Sequence, residues 1–218
     1  MRSGWSPVTS PAIVLPLQAS DNSDVEPKFD ARKHIRYLRD RDIDELCHKD
    51  VNALVAEIRE APLLGMQTVL TVLPTTQLIN WQHAREDFYG TNIHGKSPQH
   101  KGVSYCSQAW MYWHHDFRKQ CLFIQRIRMT IEQEEKKRDV LAALLLCAVD
   151  EARSWNLPKV ELWGMQADLQ NTTVLLGNKF TGLKPVLKAR RRETVSIRWR
   201  GGENKSTEMY PNDHYAWN

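Results

Sequence analysis

Two hydrophobic periods alternate along this chain, and their order predicts its elements. Residues 12–15, Ala-Ile-Val-Leu, are a short apolar run suited to a strand, ended by Pro16. The polar, turn-rich stretch after Pro16 runs to Asp30 and has the composition of a linker. From 31 to 60 charged and apolar positions interleave. Within that segment Val51, Leu54, Val55 and Ile58 make a helical stripe, and Asp50 is placed to cap it. Residues 66–73 are rich in Val, Leu and Thr and read as a strand ended by Pro74. Thr75 or Thr76 then caps a helix carrying Leu78, Ile79, Trp81, Ala84 and Phe88, which Gly90 can close.

The second half repeats the alternation. Residues 101–115 are aromatic and strand-rich, Asp116–Lys119 make a turn, and CLFIQRIRM at 121–129 is a strong strand. The longest helix spans 132–155, with Val140, Leu144, Leu145, Ala148 and Trp155 among its apolar positions. Acidic residues lead it, matching the positive end of its macrodipole. A short strand at 159–163 follows, then a helix over 166–180 broken at Gly177–Asn178. A final strand places Val195, Ile197 and Trp199 on one face. The predicted fold is α/β (α+β): a mixed, partly antiparallel sheet flanked by helices, with a helical crossover between parallel strands.

Composition narrows this without redirecting it. The 218 residues hold a core of ordinary size, and 30 basic against 26 acidic residues supply no global drive toward nucleic acid. Four cysteines, Cys47, Cys106, Cys121 and Cys147, form no C-x-x-C pair and read as free thiols of a reducing compartment. The apolar core of the first residues is too short for an export signal, and no run approaches the roughly 20 apolar residues of a span. The chain is expected to be cytoplasmic, away from the membrane.

Two motifs invite chemistry on their own. His114–His115–Asp116 suggests a metal, but adjacent strand residues point to opposite faces and no third ligand stands at a suitable spacing, so no metal is expected. The basic run from Lys188 to Arg192 suggests nucleic acid; leading into an alternating strand, it reads instead as a charged turn or guarded edge strand.

Larger stretches carry a resemblance. GWSPVTSPAIVLP, WQHAREDF at 81–88, HGKSP near 94, WMYWHHDF at 110–117, VDEARSWNLPKVELW and the terminal NDHYAWN are similar to the C-terminal region of the fungal lysine acetyltransferase family, within the GNAT superfamily. The resemblance covers nearly the whole chain. It implies a tandem protein in which a preceding acetyltransferase domain binds acetyl-CoA. On that reading residues 1–17, with Gly4, Trp5 and Pro7, are a remnant of the preceding domain. Residues 18–60 are a linker and helical connection, and 61–218 are the GNAT-like domain. The family's acetyl-CoA cradle, Arg/Gln-x-x-Gly-x-Gly/Ala, lies between the fourth strand and the long helix. The matching place here, RIRMTIEQEEKKRDVL, has no glycine and carries Glu132, Glu134 and Glu135. No cofactor-binding residues are therefore expected, and the chain alone is expected to be inactive, with catalytic residues unassigned.

Candidate substrate contacts, read from residue type and spacing, centre on His83 and Glu86. With Asp87 they stand at i, i+3 and i+4, share a helix face, and could meet the ammonium of an amine such as lysine; the alternative is a solvated or packing face. Arg85 could hold a substrate carboxylate or a surface ion pair. Trp110 and Trp113 could line a pocket or fill the core from alternate sheet faces. Packing against a preceding acetyltransferase domain is the implied protein contact. The alternative function is a non-catalytic GNAT-like domain that binds a ligand or a protein.

Overall fold

A computed structural model describes residues 6–8, 11–17, 30–60, 67–163, 169, 171–174, 184–189, 195–197 and 206–209. Its elements are β1 (Ser6–Val8), β2 (Ala12–Pro16), a 3-10 turn (Asp30–His34), β3 (Ile35–Leu38), α1 (Asp40–Glu60), β4 (Gln67–Leu70) and α2 (Thr76–His94). Then come β5 (Gly102–Tyr105), β6 (Ala109–Asp116), β7 (Cys121–Met129), α3 (Glu134–Ser154), β8 (Lys159–Trp163), β9 (Val186–Lys188), β10 (Val195–Ile197) and β11 (Ser206–Met209).

Seven strands make the main sheet in the order β3-β5-β6-β7-β8-β2-β9. Only β7 and β8 are parallel, joined by α3 as the crossover; the other pairs are antiparallel. Two smaller pairs stand apart, β1 with β10 and β4 with β11. The expected mixed sheet with flanking helices is present.

Each helix covers a sheet face because its apolar positions repeat at helical spacing. On α3, Leu141, Leu144, Leu145 and Ala148 are fully buried against Met111, Trp113, Leu122 and Ile124. On the opposite face, Ile43 and Cys47 of α1 and Ile79 of α2 close over Leu38 and Tyr112. Adjacent residues of β6 thus serve opposite cores, as strand alternation requires.

Several local expectations change. Ala12–Leu15, set apart from the main sheet by the sequence reading, is an interior strand: β2 pairs with β8 on one side and β9 on the other, and all four residues are buried. The segment expected to be a linker and connection contributes β3 and α1 to the same sheet unit. Asp50 is not a cap, because α1 begins ten residues earlier; Asp42 instead accepts the backbone N–H of Arg39 at 2.8 Å. Gly90 does not end α2. Gly95 does, at φ 70°, with its N–H on the Thr91 carbonyl. Gly90 lies inside the helix, at a position where a Cβ would stand 2.9 Å from the Lys96 carbonyl oxygen. The Asp116 turn forms as expected, its Oδ1 accepting the N–H groups of Arg118 and Lys119. Of the late helix only Leu169 and 171–174 are described. Trp199, Arg190–Arg192 and the Tyr-Ala-Trp tail lie outside the described residues. Among the described residues no helix is long and apolar enough to cross a membrane.

Candidate functional site

The length mismatch between β5 and β6 creates the site. β5 pairs with β6 only from Ala109 to Tyr112, so Trp113–Asp116 extend past their neighbour with an open edge. Open edge groups need partners. The Lys101 carbonyl accepts the Trp113 N–H at 2.9 Å, and then the chain turns away. Helix α2 supplies the rest from its side chains. His83 Nε2 donates to the Trp113 carbonyl at 3.0 Å, and Glu86 Oε2 accepts the His115 N–H.

From that edge a buried polar chain runs to α3. Glu86 also accepts the His115 Nδ1–H at 2.9 Å and a bond from the Lys101 ammonium. Lys101 Nζ donates a second bond to Asp87 at 2.8 Å. His115 Nε2 meets Glu151 Oε1 at 3.2 Å; the same oxygen takes the Trp155 indole N–H, and Oε2 takes His100 Nδ1 at 3.0 Å. The His115 ring also stacks on Phe117 and meets the edge of Trp155. Both nitrogens of His115 face carboxylate oxygens, which only accept, so the ring is an imidazolium.

For His115, Glu86, Lys101 and Asp40 burial works against the charge, and pairing outweighs it. His115 is pulled down by desolvation yet ends raised, through Glu86 and then Glu151. Desolvation pushes Glu86 up, but His115, with His83 and Lys101 behind it, holds its carboxyl well below the usual range. The Lys101 ammonium ends raised for the same reason, Glu86 and Asp87 outweighing its burial. Asp40 is lowered chiefly by its approach to His83, against desolvation, with Lys101 adding to the effect. Fixed charges paired this well position elements. His115 keeps no lone pair for base chemistry.

A bulge extends the seam to α1. Trp113 pairs with Ile124 while Tyr112 pairs with Arg126, so Gln125 is an extra residue on β7. Gln125 accepts from His83 Nε2 at 3.1 Å and donates to Gln82 of α2 at 2.8 Å. Arg126 forks onto the buried Asp50 of α1 at 2.7 and 3.0 Å. The bulge thus aims two successive side chains at the same helical layer. At the same place β7 leaves β8, whose parallel pairing covers only Leu122–Ile124.

The expected site residues therefore divide. His83 and Glu86 come together, buried, on the edge of β6. The carboxylates Glu86 and Asp87 do meet a lysine ammonium, and it is the chain's own Lys101. Arg85 lies at the rim, 3.3 Å from Asp116 and over the Trp81 ring. Trp113 is fully buried on the α3 face with its indole N–H on the His100 carbonyl, and Trp110 stacks on Tyr112 on the other face, so the two share no pocket wall. His114 and His115 diverge, His114 stacking on Phe123. Lys101, His115, Glu151 and Asp40 were not anticipated as members. Glu151 left one sequence signal: an acid in the last turn of an apolar helix, where the macrodipole disfavours it.

A parallel strand–helix–strand unit whose strands part beyond a bulge stands at the centre of this sheet. The family description LYC1 GNAT-like C-terminal domain matches residues 13–218. The chain belongs to this family. No curated protein matches it. The GNAT-like name raises the question of acetyl-CoA, whose cradle would lie between β7 and α3. There the Thr130 N–H and hydroxyl both bond the Gln108 carbonyl, Ile131 is buried, and no glycine stands between 130 and 137. Glu134 and Glu135 occupy the first turn of α3. These residues do not fit a pyrophosphate: no glycine opens the backbone to it, the Thr130 N–H is committed to Gln108, and the carboxylates at the start of α3 repel it.

Proposed function

We propose that this GNAT-like domain is the substrate-side, C-terminal partner in an amine N-acetyltransferase acting on an amine such as lysine, and that it does not transfer acetyl groups alone. The observation that carries the reading is the β7–α3 junction, where acids and a committed backbone N–H replace a phosphate cradle. Acetyl transfer needs a donor held in place and a base for the amine. Among the described residues this chain offers an acid-rich seam and no seat for the donor, and the donor is assigned to another domain, expected to be a preceding acetyltransferase domain. Isothermal calorimetry with acetyl-CoA tests this: no binding is expected, and a micromolar dissociation constant for the chain alone would overturn the reading.

A second reading is a non-catalytic domain that binds a protein. It is favoured by Trp81 and Phe88, seven residues apart on one face of α2 and 55% and 63% exposed. Both readings place the domain against a partner, and the cytoplasm is the compartment proposed for it.

A further inference from the structure

Helix α2 is fixed to β6 through one face and leaves another bare. Ile79, Gln82, His83, Glu86 and Gly90 are buried. Gln77, Trp81, Ala84, Phe88 and Thr91 are exposed, at steps of four, three, four and three residues. That spacing is the 3.5-residue period of a contact between two helices. The two aromatics carry most of the apolar surface of this stripe, Trp81 at 55% and Phe88 at 63% exposure.

Two properties of the stripe say what covers it. It is uncharged, and the charges beside it are already answered within the chain: Arg85 by Asp116 at 3.3 Å and Asp87 by Lys101 at 2.8 Å. A strongly charged partner finds no counter-charge there, whereas a second neutral stripe meets no repulsion. Large and small residues also alternate along it, in the order Trp81, Ala84, Phe88, Thr91. Turned end over end, that order is its own complement. Phe88 of one copy falls over Ala84 of the other, and Trp81 falls over Thr91, about a two-fold axis level with Glu86. In parallel alignment large would meet large. Antiparallel placement also sets each macrodipole against its opposite.

We propose that a second copy of this chain covers the stripe, the two α2 helices packing antiparallel with each aromatic over a small residue of the other copy. Four aromatics, each a little over half exposed, supply on the order of 500 Å² of apolar contact. A standard stable interface needs at least about 1,200 Å², so this dimer is a dissociable one, half-associated at roughly tens to hundreds of micromolar. The proposal names the partner of the protein-binding reading, and rests on that reading only for treating Trp81 and Phe88 as a protein contact.

The test is sedimentation velocity of the full chain from micromolar to millimolar concentration, with variants at exposed positions whose helix content is checked by circular dichroism. The wild type should pass from monomer to dimer across the range, and Phe88→Ser should weaken association at least about tenfold. Ala84→Trp should do the same although it adds apolar surface, because the new ring fills the space that Phe88 of the other copy enters. Leu187→Ser, at a 53% exposed position on β9, should change nothing. A nitroxide on Gln77→Cys, with the exposed Cys106 replaced by serine, reads the direction. Antiparallel helices hold the two labels roughly 27 Å apart along the axis, and parallel ones hold them side by side. Three results overturn the proposal: a wild type monomeric to millimolar concentration, whatever other protein then covers the stripe; a dimer that Ala84→Trp tightens or leaves alone; or labels side by side. The non-catalytic reading falls on different evidence, acetyl transfer measured when a donor domain is added.

Discussion

The folding stability of this domain near neutral pH should carry the signature of one buried ring. In the folded chain His115 is charged, because Glu86 and Glu151 face its two nitrogens and outweigh the cost of burial, raising its pKa above the ordinary 6.5. In the unfolded chain the ring returns to about 6.5. Below that pH both states hold the proton and the stabilisation is complete. Above it only the folded state does, so stability falls as pH climbs and the contribution is gone once pH passes the folded value. The slope for one proton is about 1.4 kcal/mol per pH unit, against a total stability of about 5–15 kcal/mol for a domain of this kind. Urea unfolding in half-unit steps from about pH 6.5 to 8 reads the slope below the range, near pH 8.5, where exposed thiols ionise. His115→Gln removes the cation between Glu86 and Glu151, leaving Glu86 with Lys101 alone and Glu151 with His100. It should start about 3–5 kcal/mol lower and lose the slope. A wild-type stability that is flat or rises over this window, or a glutamine variant with the same slope, would refute the imidazolium assignment.

Two further substitutions probe how the helical layer is fixed to the sheet. Asp50→Asn removes the charge that holds the Arg126 fork and the nearby Arg128, and should cost about 3–5 kcal/mol in urea unfolding. Gly90→Ala should lower the melting temperature despite a helix-propensity gain of about 1 kcal/mol, because its Cβ meets the Lys96 carbonyl oxygen at 2.9 Å and Pro98 Cδ at 3.1 Å; a rise would show that the 96–98 turn yields.

The legible parts of the fold are those with long, single-period patterns. The α3 stripe and the apolar run of β7 announce themselves, and with β8 they define the parallel crossover at the centre of the sheet. The start of α1 does not. Its first two turns, Asp40–Cys47, are mostly charged, and the apolar repeat becomes regular only after Asp50, so that buried acid looked like a cap. β3 is four residues long with only Leu38 fully buried, too short to show alternation. β2 is separated from the rest of the sheet in sequence, and sequence distance says nothing about where a strand inserts.

For the site, helical spacing puts His83 and Glu86 on one face of α2 but says neither that the face is buried nor what it meets; the structure buries both residues. Its partners come from a different rule. β6 is eight residues long and β5 four, which leaves backbone groups of Trp113 and His115 to be satisfied by something other than a strand. The side chains able to do so had to be polar, long enough to reach across from a helix, and paired in charge once buried. That requirement selects a histidine and a glutamate on α2 and pulls in Lys101, His115 and Glu151 as counter-charges. The bulge at Gln125 has no local sequence mark, yet it turns two successive side chains toward α1 and α2 and coincides with the parting of β7 from β8. A single irregularity thus aligns the polar seam with the opening of the sheet.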